Sequence, residues 1–282
     1  MKLSESRVVI TGGAGKVGRS LRAAMSAEFA EVVVLDLVGE TVLAPNETAM
    51  VCDVTDRAAL TRALAGADAV VHLAGYPTEQ AVEDILQVNC LGTWNIYEAA
   101  RENGIGRVVF ASSNHATGFY PRDQVVSPSM PMRPDGTYGL SKCWGELVAG
   151  LYWDRAGIRT LSIRIGNALG PPPSRRAIEV WISARDLAQL VRIGLTHPEV
   201  DATVVYGISD RDNAWWDNSV ARALGYRPQD RNADHALPGA ATSPLESPVA
   251  EAFQGGGFCD HRHDGVIRSR FDSLATHGGT DA

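Results

Sequence analysis

Thr11-Gly12-Gly13-Ala14-Gly15-Lys16-Val17-Gly18 follows directly on the apolar run Arg7-Val8-Val9-Ile10. This reads as a strand, a glycine-rich turn and the start of a helix. Two patterns overlap in it, Gly13-x-Gly15-x-x-Gly18 and Gly12-x-x-Gly15-x-x-Gly18. A pyrophosphate needs this geometry: a tight turn, backbone N–H groups that approach the phosphates, and a helix packed closely on its strand. The motif alone is weak, and its context strengthens it. Val32-Val33-Val34-Leu35 reads as a second buried strand with Asp36 at its carboxyl end. A carboxylate there accepts hydrogen bonds from both adenosine ribose hydroxyls and repels a 2′-phosphate. Leu37, Val38 and Gly39 follow, with no arginine. The expected cofactor is therefore NAD rather than NADP.

The chain has 282 residues, 45% hydrophobic and 21% charged, enough for one large α/β domain or one domain with a small lobe. Its formal net charge of −7, without a basic block, argues against nucleic acid and anionic membrane as partners. No stretch resembles a secretory leader, and none approaches the ~20 apolar residues of a membrane span. A cytoplasmic location is expected. Cys52, Cys90, Cys143 and Cys259 are widely separated, with no CxxC pair, as in a reduced protein.

Further strand-like runs are Ala49–Cys52, Asp68–Leu73, Arg107–Ala111 and Arg159–Ile165. Helical patterns over 15–28, 57–64, 81–103 and 141–156 separate them. Continuous Val/Ile/Leu strands alternating with helices predict a Rossmann-type, doubly wound parallel sheet, with ligands outside the carboxyl ends of its strands. Residues 1–165 are read as the NAD-binding domain. Residues 166–282 are read as a small substrate lobe that also returns elements to the sheet: a helix over 183–195 capped by Ser183, a strand over 203–206 and a helix over 215–224. Residues 226–248 read as loop, and 275–282 as a disordered tail.

Three segments at strand ends can meet above the cofactor. Phe110–His115 carries Ser112, Ser113, Asn114 and His115; Arg164–Asn167 ends a later strand; Tyr138-Gly139-Leu140-Ser141-Lys142 opens a helix. Tyr138 and Lys142, at i and i+4, lie on one helix face. A free tyrosine titrates near ~10, too high for a base at neutral pH. A neighbouring ammonium and an oxidised nicotinamide favour the phenolate. A serine hydroxyl beside it, here Ser113, orients the substrate oxygen. His72 lies on a buried strand and reads as a core histidine. His261-Arg262-His263 lacks acidic or thiolate partners at ligand spacing, so no metal site is expected. Trp215-Trp216 reads as packing between lobe and sheet.

Together these features resemble the extended short-chain dehydrogenase/reductase superfamily: TGGAGKVG, Asp36, Cys52-Asp53-Val54, Leu73-Ala74-Gly75, Asn89, the serine pair and YGLSK. The resemblance implies Ser113, Tyr138 and Lys142 as the catalytic set. It implies a cofactor site drawn from Gly12, Gly15, Lys16, Val17, Gly18, Asp36, Leu37, Asp53, Val54, Leu73, Ala74, Gly75, Asn89, Tyr138, Lys142 and Ile165. A narrower resemblance covers nearly the whole chain. FASSNHATGFYP (110–121), RPDGTYGLSKCWGE (133–146), WWDNS (215–219) and FQGGGF (253–258) look like uronate dehydrogenase. That family oxidises the anomeric carbon of galacturonate or glucuronate with NAD to an aldarolactone. The implied substrate contacts are Ser113, Asn114, His115, Tyr138, Asn167 and Arg176, the arginine gripping the sugar carboxylate. The superfamily often assembles through helices such as 81–103 and 141–156, so a homo-oligomer is expected.

Two positions depart from the family's pattern: Tyr76-Pro77 and Asn167 stand where it has serines. A related uronate, another aldose or a sugar phosphate thus stays open as substrate. A nucleotide-sugar epimerase or dehydratase would need a larger C-terminal lobe than the 117 residues after Ile165. A scaffold protein that merely senses NAD would typically have lost the Tyr/Lys pair.

Overall fold

The computed structural model describes residues 1–168, 170–211 and 214–268; the tail expected over 275–282 lies outside them. Its centre is a seven-stranded sheet of β1 (Arg7–Thr11), β2 (Glu31–Asp36), β3 (Glu47–Val51), β4 (Ala69–His72), β5 (Arg107–Ser113), β6 (Arg159–Ile165) and β7 (Ala202–Gly207). Their order is β3-β2-β1-β4-β5-β6-β7, with every pairing parallel. This is the doubly wound Rossmann-type sheet. The chain winds outward from β1 in one direction and from β4 in the other, which leaves a crevice between the ends of β1 and β4.

The strands are apolar on both sides because both faces are covered. Val8 and Ile10 join a core with Leu21 and Met25 of α1 (Lys16–Met25) and with Leu187, Leu190 and Val191. Val9, between them, joins the opposite core with Leu60 of α2 (Arg57–Ala63) and with Ile96, Tyr97, Val148 and Tyr152. The helical stretch expected over 81–103 is three pieces: α3 (Val82–Asp84), a wider π-turn over Ile85–Leu91, and α4 (Gly92–Glu102). Such π-turns commonly mark functional positions. This one carries Asn89, whose Oδ1 accepts from Tyr76 N at 2.8 Å and whose Nδ2 donates to Tyr76 O and Ser141 Oγ, both at 3.1 Å.

Helix α5 spans Thr137–Ala156, four residues earlier than its apolar pattern, so Tyr138 stands in its first turn. Then come α6 (Arg175–Glu179), α7 (Ala184–Thr196), α8 (Ser219–Ala223) and α9 (Pro248–Ala252). Ser183 caps α7, accepting from Asp186 N. The helix expected over 215–224 is only α8. Asn218 donates to Tyr206 O and accepts from Tyr206 N, which ties the preceding residues to β7 as a loop. Within 226–248 there are only two short 3-10 turns, Asn232–His235 and Ala240–Thr242. Trp216 stacks on Tyr206 at 4.8 Å inside a small core with Tyr120, Val126, Val180 and Ile208. Residues 119–126 therefore pack with the segments that follow β6. His72 is fully satisfied, with Thr11 at Nδ1 and Thr93 at Nε2.

Candidate active site

The turn after β1 is shaped by backbone contact. Gly12 has φ 69°, and a Cβ there would lie 2.7 Å from Ala74 N. A Cβ on Gly18 would lie 2.5 Å from Gly12 O. No side chain fits at either place, so the turn stays tight and presents no side chain of Gly12, Gly15 or Gly18 to the space beside it. Asp36 at the end of β2 braces it: Oδ2 accepts from Ala14 N at 3.0 Å and Oδ1 from Leu37 N at 2.8 Å.

Two adjoining cavities run across the carboxyl ends of the strands. The smaller, about 330 Å³, is lined by Gly12, Gly15, Asp36, Leu37, Asp53, Val54, Leu73, Ala74, Gly75 and neighbours. The larger, about 580 Å³, shares Gly12, Gly15, Leu73 and Gly75 and continues past Lys16, Val17 and Gly18 to Ser113, Asn114, His115, Tyr138, Lys142, Ile165 and Asn167. Together they form one groove, with a bare glycine turn at its middle and a carboxylate at one end. That fits an extended dinucleotide with its adenosine toward Asp36. Asn89 lines neither cavity. It acts through Tyr76, which lines both.

At the far end Tyr138 and Ser113 line the same cavity. Burial pushes Tyr138 up to about 12; the Ser113 hydroxyl opposes this and the Asp135 charge adds to it. Burial also brings Lys142 down to about 8. Lys142 Nζ donates to Ala111 O at 2.9 Å and stands 5.5 Å from the centre of the Tyr138 ring. These residues alone thus hold tyrosine as the phenol, and ionising it requires further positive charge above the ring. Beneath the site lies a buried pair. Arg164 grips both oxygens of Glu146 at 2.9 and 2.8 Å, and Ser112 donates to the same carboxylate at 2.5 Å. The pair joins β5, β6 and α5 directly behind Ser113 and Lys142.

Arg176 stands apart from the groove. It lines a third cavity of about 190 Å³ with Arg122, Arg175, Glu179 and Trp215. Its Nε donates to Gln254 O at 3.0 Å, and its buried Nη2 has no partner among the described residues. Asn114 Nδ2 is likewise buried and partnerless among them.

Three residues that sequence reasoning passed over belong to this neighbourhood. Glu79 Oε1 accepts from Tyr138 N at 2.7 Å and so caps α5 from the loop after β4. Asp135 accepts from His115 Nδ1 at 2.5 Å. Phe258 stacks on His115 with ring centres 3.8 Å apart. Glu79 and Phe258 meet their partners across long stretches of chain, which leaves no local spacing to read. Asp135 had a signal, the acid beside the Tyr138 helix, but its partner is a loop away.

Comparison with known proteins agrees with this geometry. Residues 8–184 match the NAD dependent epimerase/dehydratase family. The chain is 43% identical over 256 residues to a uronate dehydrogenase of Pseudomonas putida, covering 90% of this chain and 95% of that one. It superposes with TM-score 0.85 and 38% identity on the glucuronic acid dehydrogenase of Chromohalobacter salexigens, over 90% of this chain and 97% of that one. The same score and identity hold for an NAD complex of a tyrosine-to-alanine variant of Agrobacterium tumefaciens uronate dehydrogenase, over 91% and 97%. The chain belongs to the NAD dependent epimerase/dehydratase family and, within it, to the uronate dehydrogenases.

Proposed function

We propose that the protein oxidises a uronic acid of the glucuronate or galacturonate type at C1, with NAD as acceptor, to the aldarolactone. The observation that carries this reading is a convergence. Ser113, Asn114, His115, Tyr138, Lys142 and Asn167, from three segments, share one cavity continuous with the Gly12–Asp36 groove. Bound in that groove, NAD would supply a hydride acceptor and a positive charge to the site that holds Tyr138. That charge and the Lys142 ammonium favour the phenolate, against burial. Tyr138 takes the proton from the C1 hydroxyl while Ser113 holds the same oxygen. The C1 hydride leaves toward the acceptor, and the ring carbon becomes the lactone carbonyl. Asn114, His115 and Asn167 hold ring hydroxyls, and Asn167 keeps a hydrogen-bonding side chain at its position. Lys142 also serves the nicotinamide ribose. Gly12, Gly15, Lys16, Val17 and Gly18 hold the pyrophosphate. Asp36 and Leu37 hold the adenosine ribose, Asp53 and Val54 the adenine, and Leu73, Ala74, Gly75 and Ile165 the remaining walls, with Asn89 acting through Tyr76.

Arg176 is assigned the sugar carboxylate because a guanidinium fork matches it and Nη2 is free to donate. Its place off the cavity wall favours a second reading, a neutral aldose or sugar phosphate as preferred substrate. A panel decides: NADH formation with galacturonate and glucuronate, against glucose, arabinose, glucose 6-phosphate and a UDP-sugar. Turnover confined to the last four would overturn the uronate assignment.

The exposed side chains Val82 and Leu86, with Leu140, Trp144 and Leu147 of α5, form an apolar face. We read it as the two-fold interface of a homo-oligomer. No helix among the described residues is long and apolar enough to cross a membrane. The four cysteines are unpaired, in keeping with a cytoplasmic enzyme.

A further inference from the structure

Asp135 stands three residues before Tyr138, in the segment that leads into α5. Its side chain is fully buried, and it faces the imidazole of His115, which lines the larger cavity. The two backbones are laced together. Arg133 N donates to Ala116 O at 2.9 Å, and Asp135 N donates to His115 O at 3.3 Å.

Room for this carboxylate is cleared from three sides. A Cβ on Gly118 would meet Asp135 Oδ2 at 1.8 Å, one on Gly255 the same oxygen at 2.1 Å, and one on Gly139 Oδ1 at 3.0 Å. Yet the site does not satisfy the group it accommodates. Asp135 Oδ1 is buried with no hydrogen-bond partner among the described residues. A buried carboxylate that is only half satisfied is a poor source of stability. Its one side-chain partner among the described residues is His115 Nδ1, at 2.5 Å.

The ring of His115 is otherwise held by its surfaces. Phe258 stacks on its face at 3.8 Å, and Tyr138 meets it edge-on at 5.8 Å. Nε2 is then its one remaining polar atom. A neutral imidazole exists as two tautomers, and a carboxylate, which only accepts, selects the one with the proton on Nδ1. We propose that Asp135 is a positioning residue: it fixes His115 as the Nδ1–H tautomer, so that Nε2 presents a lone pair to a sugar hydroxyl beside the reacting carbon. The opposite tautomer would put a donor there. The pair therefore sets the direction of that hydrogen bond, with the sugar hydroxyl as donor. This inference rests on the sugar-oxidising role proposed above.

Nitrogen NMR of the wild-type protein labelled in its histidines reads the tautomer without any substrate. Protonated Nδ1 and unprotonated Nε2 are expected, with the reverse or a mixture in Asp135→Asn. Kinetics form the second arm. Asp135→Asn is expected to lower kcat/KM for the uronate by roughly 10- to 100-fold, the range over which the partner of a working imidazole acts, with NAD affinity unchanged. His115→Ala should cost about as much, and the double variant little more than His115→Ala alone, because residues that act as one unit are not additive. A wild-type Nε2–H tautomer would overturn the proposal, as would single losses that multiply in the double variant. If Asp135→Asn does not fold, the wild-type tautomer still decides. If the wild-type enzyme ignores every sugar acid, the functional reading fails while the tautomer remains measurable.

Discussion

The two ends of the groove are built differently. Around Gly12–Gly18 and Asp36 the form is set by a turn of backbone against backbone, such as Gly18 against Gly12 O, and the lining is drawn from the ends of consecutive strands. Around Tyr138 the walls are side chains delivered from distant segments: Asn114 and His115 after β5, Tyr138 and Lys142 on α5, and Asn167 after β6, with Phe258 stacked on His115. Backbone walls accept one shape. Side-chain walls can be exchanged one residue at a time, so single substitutions at the sugar end change what the site accepts.

The contrast predicts effects of falling size. Tyr138→Phe removes the proton acceptor and should lower kcat by ~10²–10⁴ while NAD binding persists. Steady-state turnover beside NAD titration checks this, and a near-normal rate would remove Tyr138 from the chemistry. Arg176→Ala should reduce kcat/KM for uronates roughly 10- to 200-fold, the loss of one charge-assisted pair, with a much smaller loss for neutral aldoses. Arg175→Ala should do much less, because Arg175 leans on Glu251 at 3.5 Å. A larger loss at Arg175 would exchange the two roles. Asp36→Ala should weaken NAD and narrow its advantage over NADP, since it removes a ribose acceptor, a repulsion and the brace on Ala14 N. Wild-type efficiency with NADP equal to that with NAD would break the reading of that end.

The smallest effect is on stability. Burial lowers Lys142 from 10.5 to about 8 in the folded chain. Between those values the unfolded chain binds the extra proton, so this residue makes stability rise with pH across that window. Thermal unfolding of wild type and Lys142→Met at pH values spanning it should show the wild type gaining on the variant. Parallel curves would mean that the ammonium is better solvated than its surroundings imply.

What could be read in advance follows the same division. The glycine turn, Asp36 and the Tyr138/Lys142 pair are local, with spacing set by one turn or one helix, so sequence order preserves them. The break in the 81–103 helix left no mark, since Ile85, Val88 and Leu91 continue an apolar helical rhythm through the π-turn. Residues Trp215–Asn218 looked helical because nothing nearby reveals that Asn218 bonds the backbone of Tyr206. Asp135 and Glu79 acquire their partners only when the chain folds. Arg176, placed by resemblance, lines a neighbouring cavity instead of the groove.

The central claim is that one groove brings a sugar C1 and a nicotinamide together over Tyr138. A uronate carrying deuterium at C1, incubated with enzyme and NAD, tests it most directly by mass spectrometry of both products. The account predicts deuterium in the NADH, none in the lactone, and a slower turnover than with the unlabelled sugar acid. Unlabelled NADH, or a product that keeps its C1 deuterium, would contradict it.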